Sequence, residues 1–441
     1  MDKYKLGKFV YLYHLNEGYV LFNLINDAVV LLNDEGVNLI KKYENKLHEI
    51  RKIHPSLFKS LLNSKFIVAK ELDEVERMIA QWREEDCAEY KFTLTVNPTL
   101  GCNLRCWYCY EAHEGMSIMG QGVLGRVMKL IENKVGNPKL RGFNLDFFGG
   151  EPLLAFAKVV RPLMTYTKDI CRKYKKQYYF SFTTNAVLLN AEIIDYLKKS
   201  GEYAPVRLQI TLDGSEQFHD ATRSTVTGSP TYRLILHNIK ASLNAGLDII
   251  VRYNYTSQNA ASFRDILLDL DDINRNLRLV FSFNRVWQEK ETPFIESLID
   301  SIKADYESAG FNVECVPLVR GIRCYADKEN FIVVNYDGFV YKCTARDFRK
   351  ENADGVLSEN GIIEWNPRFY DRMRLKFGNE DCLKCSIFPI CHGGCSQSII
   401  ECQDRLGCIK NYDEPKRESL IAERLYCILH KNNVIYHNEV V

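Results

Sequence analysis

The chain of 441 residues has no excess of charge of either sign, with 58 Lys and Arg against 57 Asp and Glu. That balance excludes a strong single-sign field, so neither nucleic acid, nor an anionic membrane, nor an acidic partner is indicated. No apolar run approaches the roughly 20 residues that cross a bilayer. The first residues include Asp2, Lys3 and Lys5 and have no signal-peptide apolar core behind them. A cytoplasmic protein is expected. Internal repeats and low-complexity tracts are missing as well, which excludes a repeat array.

What the chain does have is enough apolar material, 46% hydrophobic and 12% aromatic residues, for ordinary cores in two or three domains. It also has fifteen cysteines. In a reducing compartment thiols stay free, and the spacings read as ligand sets, so metal or cluster binding is the leading explanation.

Three segments follow from the patterning. The first, residues 1–87, alternates apolar and polar side chains through Phe9 to Tyr13 and Tyr19 to Leu24, with a third strand at Ala28 to Leu32. Asn33 or Asp34 then caps a helix, and two short helices lead to Phe66-Ile67-Val68, a winged-helix-like order. From 88 to 314, strands alternate with helices. The strands are placed at Lys91 to Asn97, Phe143 to Phe148, Tyr178 to Thr183, Val206 to Leu212, Leu247 to Tyr255 and Leu277 to Phe283. Helices such as Val159 to Lys175 and Tyr232 to Ala245 fit between them. Six such repeats predict an α/β fold, a partial (βα)6 TIM-like barrel, with ligands at the carboxyl ends of the strands. The last segment, 315–441, shows a hairpin at Phe331 to Val334 and Phe339 to Lys342 and a helix around Arg417 to Leu429, and it holds ten of the cysteines.

Cys102, Cys106 and Cys109 sit on one loop just after the first barrel strand. Three thiolates can ligate three irons of a 4Fe-4S cube and leave the fourth open. A zinc site is the bland alternative, but zinc takes four ligands, and Cys87 does not complete a familiar zinc spacing. The second strand ends in Phe147-Phe148-Gly149-Gly150-Glu151-Pro152, where two glycines let the backbone approach a ligand and present Glu151 to a cationic amine. The plain alternative there is an ordinary strand-to-helix turn.

With these two features the chain resembles the radical S-adenosylmethionine superfamily, whose C-x3-C-x2-C loop and Gly-Gly-Glu-Pro turn it reproduces. The resemblance implies an adenosyl radical made from S-adenosyl-L-methionine at the open iron. It implies that Tyr108 lies beside the adenine and that Glu151 holds the methionine amine. Thr184 and Asn185, Asp213, and Arg252 with Asn254 end or line later strands, where the family contacts the ribose and the methionine carboxylate. A Thr-Asn or Asp-Gly pair is also a common plain turn.

Cys382-x2-Cys385-x5-Cys391-x3-Cys395, with Cys408 after it and Cys324 and Cys343 before it, resembles the SPASM auxiliary-cluster domain. Carried over, Cys382, Cys385, Cys391 and Cys408 bind one 4Fe-4S cluster, and Cys324, Cys343 and Cys395 bind another, with Cys315 as candidate fourth ligand. Three clusters in all are implied. Cys402 competes with Cys408, paired zinc sites are the alternative for the whole array, and Cys87, Cys171 and Cys427 read as small core residues.

SPASM enzymes mostly act on peptides or proteins, and two branches compare. One matures ribosomally made peptides by joining side chains through thioether or carbon-carbon links, and often carries an N-terminal winged-helix element. A leader peptide could add a strand to that element, although it could equally be a cap without ligand. The other branch, the anaerobic sulfatase-maturating enzymes, makes formylglycine with an Asp directly after the Gly-x4-Cys cysteine. Here Thr344 holds that position and Asp347 follows three residues later. The expectation is a peptide maturase supplied with electrons by a flavodoxin- or ferredoxin-type donor. A metal-binding regulator that puts a winged helix on DNA is disfavoured by the balanced charge.

Overall fold

The structure is a computed structural model that describes residues 3–15, 18–111, 117–273, 278–290, 292–314, 321–402 and 408–431. Cys315 lies outside the described residues. In chain order come β1 (Tyr4–Leu6), β2 (Val10–Leu15), β3 (Gly18–Asn23), β4 (Ala28–Leu32), α1 (Asp34–Lys42), α2 (His48–Ile53), α3 (Pro55–Asn63), β5 (Ile67–Ala69) and α4 (Glu74–Asp86). There follow β6 (Lys91–Val96), α5 (Gln121–Val135), β7 (Gly142–Phe147), α6 (Arg161–Lys173), β8 (Gln177–Thr184), α7 (Ala191–Ser200), β9 (Arg207–Leu212), α8 (Glu216–Thr222), α9 (Tyr232–Asn244), β10 (Asp248–Tyr255), α10 (Phe263–Asp269), β11 (Leu279–Arg285), α11 (Pro293–Ser308) and β12 (Asn312–Val313). The chain continues with β13 (Phe331–Val334), β14 (Phe339–Tyr341), β15 (Gly355–Leu357), β16 (Ile363–Trp365), α12 (Pro367–Leu375), α13 (Glu380–Lys384), α14 (Phe388–Cys391), α15 (Ser396–Glu401) and α16 (Glu414–Lys431).

Contacts divide the described chain into two units, each assembled from separated segments. The larger takes residues 87–314 and 328–371; the smaller takes 3–86, 321–327 and 372–431.

In the larger unit, β6 to β11 lie side by side in sequence order, all parallel. Alternation explains the two faces. Phe143, Leu145 and Phe147 of β7 and Ile249, Val251 and Tyr253 of β10 are buried in one core with Val127 and Ile131 of α5 and Ile235 and Ile239 of α9. The opposite face carries polar side chains, among them Asp146, Ser181 and Arg252. The helices have their own local signals: Asn190 caps α7 by accepting from the Ile193 amide, and Thr292 caps α11 ahead of Pro293. The helix expected from Val159 begins differently, as a 3-10 turn at Pro152–Ala155 and a π turn at Phe156–Val160 before α6. Glu151 sets that entry by accepting from the Leu153 amide.

The sheet does not stop at β11. β12 adds to the β11 edge, and at the other edge β13 pairs in parallel with β6 and leads into antiparallel β14, β15 and β16. This is the partial-barrel fold with an antiparallel extension. Gly361 lets the β15–β16 turn sit on α5: a Cβ there would lie 2.5 Å from the Leu130 nitrogen.

In the smaller unit, β2, β3 and β4 form an antiparallel sheet, and β1 pairs with β5. One face of β3 sends Leu21 into a core with Val37 and Ile40 of α1 and Phe58 and Leu61 of α3. Its other face sends Val20 and Phe22 into a core with Ile387, Phe388 and Ile390 beside the cysteines and with Leu420, Ile421 and Leu425 of α16. Arg424 closes this unit with a bidentate ion pair to Asp27. Among the described residues no helix is long and apolar enough to cross a membrane.

Candidate active site

The loop after β6 carries Cys102, Cys106 and Cys109, and the turn after β7 is locked against it. Gly149 has φ +100°, and a Cβ there would meet the Thr99 carbonyl oxygen at 2.5 Å; a Cβ on Gly150 would meet those of Gly101 and Leu100 at 2.3 and 2.5 Å. The Glu151 amide donates to the Gly101 oxygen at 2.9 Å. The expectation that these glycines admit a ligand therefore changes: the close approach is to the cysteine loop's own backbone.

Glu151 also differs from expectation, being fully buried instead of presented. Its Oε1 accepts from the Leu153 amide at 3.0 Å and from Thr184 Oγ1 at 2.7 Å, and its Oε2 accepts from the Asn185 amide at 2.7 Å. Burial raises its proton affinity, and these three bonds oppose the rise. Of about four acceptor positions on a carboxylate, one remains for a cation. Asn185 reaches back to the loop: its Nδ2 donates to Asn103 Oδ1 at 2.7 Å and lies 3.7 Å from Cys102 Sγ.

A second cluster of polar groups gathers on Tyr108. Its hydroxyl donates to Asp213 Oδ2 at 2.5 Å and accepts from Arg223 Nη1 at 2.7 Å and Asn254 Nδ2 at 3.0 Å. Arg252 Nε donates to Asn254 Oδ1 at 2.9 Å. Asp213 and Arg223 are buried, with 3.6 Å between Oδ2 and Nη1. Behind them His219 is held neutral by burial and by the Arg223 charge. Its Nδ1 accepts from the Asp213 amide at 3.3 Å, and its Nε2 lies 3.1 Å from Thr231 Oγ1, which donates to the Arg223 carbonyl at 2.7 Å. The network thus gathers the named residues Tyr108, Asp213, Arg252 and Asn254 with Arg223 and His219, which sequence reasoning missed. The available signal was a His and an Arg four residues apart, on and just beyond a short helix that follows a strand-end Asp.

Whether charged cofactors fit is told by orphaned atoms. Asp213 Oδ1, Arg223 Nε and Glu111 Oε2 are buried and have no hydrogen-bond partner. A buried polar atom without a partner is costly, and a charged ligand supplies one. Burial pushes the Cys102 thiol up to about 12 and the Cys109 thiol to about 11, with the Cys106 thiol raised too. Such thiols become thiolates by binding metal. Glu111, two residues beyond Cys109, is raised to about 8 by burial and then by Asp347.

In the same unit, Tyr110 ties this loop to the segment after Cys343 by donating to the Thr344 oxygen at 2.7 Å. Arg346 stacks over Trp287 at 5.3 Å, and Gln288 donates to the Tyr108 oxygen at 3.2 Å.

The smaller unit contains a cavity of about 340 Å³ whose lining includes Cys382, Cys385, Cys391, Cys408, Gly393 and Gly394. Gly393 and Gly394 have φ +83° and +86°, and a Cβ on Gly394 would meet nothing within 4 Å. Cys408 is on this cavity; Cys402 is not among its lining residues. Cys324 and Cys395 are held in this unit by a buried Lys376–Asp327 ion pair and by Arg372, which donates to Ser396 Oγ and Gln397 Oε1. Cys343 belongs to the larger unit. Among the described residues, no three His, Cys, Asp or Glu side chains are placed to hold a single metal ion.

Residues 96–270 match the model of the radical SAM superfamily. The chain carries a radical SAM domain. The cysteine-type anaerobic sulfatase-maturating enzyme of Clostridium perfringens is 21% identical over 369 residues, 77% of this chain and 94% of that enzyme. The structure of native anSMEcpe with bound AdoMet and Cp18Cys peptide superposes with a TM-score of 0.60 at 19% identity, covering 78% of this chain and 99% of that one. Streptococcus suis SuiB bound to the precursor peptide SuiA superposes with a TM-score of 0.53 at 14% identity, covering 93% and 100%. With this domain go S-adenosylmethionine and a 4Fe-4S cluster; Cys102, Cys106 and Cys109 are the thiols to hold the cluster, beside the Glu151 and Asp213 groups. The chain is an enzyme of this superfamily.

Proposed function

We propose that the enzyme modifies a ribosomally made precursor peptide in the cytoplasm, joining side chains through a thioether or carbon-carbon link. S-adenosylmethionine on a reduced 4Fe-4S cluster supplies the adenosyl radical that takes a hydrogen atom from the peptide. Thr184, Asn185 and Glu151 position the cysteine loop, and the Tyr108 network fixes the polar rim at the strand ends. Cys382, Cys385, Cys391 and Cys408 hold one auxiliary 4Fe-4S cluster in their shared cavity. Cys324, Cys343 and Cys395 hold the other, with Cys315 as fourth ligand. A flavodoxin- or ferredoxin-type protein supplies the electron.

The observation that carries the peptide reading is the sheet β2–β3–β4. The SuiB superposition covers 93% of the chain where the sulfatase-maturase superposition covers 78%, which supports a recognition element beyond the shared core. β4 is an edge strand whose Val29 and Val30 are half-buried and whose Leu31 is exposed. A leader segment adds to such an edge through main-chain bonds, with side-chain pockets giving selectivity.

Formylglycine formation is the second reading, favoured by the relatives named sulfatase-maturating enzymes. Against it, Thr344 occupies the position of the base, and Asp347 is engaged by Arg349 at 2.6 Å. The test incubates the reconstituted enzyme, reductant and S-adenosylmethionine with small peptides encoded beside its gene and with a sulfatase-type Cys peptide. Loss of two hydrogen atoms without a hydrazide-reactive aldehyde supports crosslinking. An aldehyde on the sulfatase-type peptide alone would replace it with the second reading.

A further inference from the structure

We propose that Arg223 is a positioning residue for electron entry: its buried guanidinium raises the reduction potential of the cluster held by Cys102, Cys106 and Cys109. The proposal rests on the radical SAM reading of that loop and goes beyond it by naming what tunes the cluster.

Arg223 is 8% exposed, yet a guanidinium stays charged at any ordinary pH. Its bonds do not use up its donors. Nη1 is spent on the Tyr108 hydroxyl at 2.7 Å, the nearest carboxylate oxygen is Asp213 Oδ2 at 3.6 Å, and Nε has no partner. The Arg223 charge favours the thiolate form of all three cysteines, whereas that of Asp213 opposes it at Cys106. A buried cation within electrostatic reach of three ligand sulfurs stabilises added negative charge there. One-electron reduction adds one negative charge to the cluster, and net charge with hydrogen bonding near the sulfurs sets iron-sulfur potentials.

The placement is also over-determined. The Arg223 carbonyl accepts from Thr231 Oγ1 at 2.7 Å, its amide donates to the His219 oxygen at 2.7 Å, and Tyr108, which receives its Nη1, lies between two of the cysteines. A residue serving only to fill space would not need a charge taken out of water, since breaking even a well-paired buried charge is costly. The competing role is binding of the S-adenosylmethionine carboxylate.

The experiment is an EPR-monitored redox titration of the reconstituted full-length enzyme, the cluster being assigned by the signal that changes when S-adenosylmethionine is added. Arg223→Gln at unchanged iron content is expected to move that midpoint to a more negative potential. Arg223→Lys, which keeps the charge, stays close to wild type, and Tyr108→Phe, which loosens the guanidinium without discharging it, shifts it less than Arg223→Gln. A wild-type midpoint in Arg223→Gln overturns the proposal, and if S-adenosylmethionine then binds tenfold more weakly the residue is reassigned to the carboxylate. If Arg223→Gln fails to take up iron, Arg223→Lys and Tyr108→Phe decide: a midpoint in Arg223→Lys as negative as, or more negative than, that of Tyr108→Phe contradicts the role of charge. If no wild-type signal responds to S-adenosylmethionine, the radical SAM reading of the loop fails and takes this proposal with it.

Discussion

Gly150 is where backbone geometry matters most. A Cβ there would stand 2.3 Å from the Gly101 oxygen, backbone against backbone, with no flexible side chain to yield. Gly150→Ala must therefore displace the cysteine loop, an overpacking that costs about 1–3 kcal/mol. The expected outcome is loss of about four irons per chain together with a lower melting temperature, read by iron assay and calorimetry. The same assay separates two thiols in the smaller unit. Cys408 lines the cavity with Cys382, Cys385 and Cys391, so Cys408→Ala is expected to drop about four irons from a total of roughly twelve, while Cys402→Ala keeps the full complement. Equal loss in both variants would move the fourth ligand to the 402 position.

Among the elements, the strands that end at the site were legible because their alternation is strong: β7, β8, β9 and β10 lie within two residues of their expected bounds. The cap of α1 was legible too, since Asn33 accepts from the Gly36 amide as its side chain suggests. Partners were not. Nothing local in Phe331 to Val334 says that β13 pairs with β6, because register across such a separation is set by tertiary packing. The burial of Glu151 was illegible for a related reason, as two of its three donors come from the end of β8. Arg223 and His219 were missed because their roles come from a network closed in space by Tyr108 and Thr231. The edge strand β4 carries the prediction at this scale. Leu31 is 38% exposed, so Leu31→Asp should leave the fold intact. Loss of an apolar contact of about 1–2 kcal/mol should weaken precursor-peptide binding roughly 5- to 30-fold, measured by fluorescence anisotropy with a labelled leader. Unchanged affinity would make the sheet a cap.

For the whole molecule, the two units divide the chemistry. The larger holds the cysteine loop, the Gly-Gly-Glu-Pro turn and Cys343; the smaller holds the cavity with four cysteines and shares its core with the N-terminal sheet. The N-terminal sheet and the cysteine-lined segment thus fold as one core, so truncating the first 86 residues should disturb the auxiliary site as well as peptide recognition. The central claim is that Cys102, Cys106 and Cys109 with the turn at Gly149 to Pro152 generate the radical. It is tested most directly by 5'-deoxyadenosine formation after anaerobic reconstitution, reduction and addition of S-adenosylmethionine. Wild type is predicted to release 5'-deoxyadenosine and Cys106→Ala none; no product from wild type under any reducing condition, or equal product from both, would contradict the account.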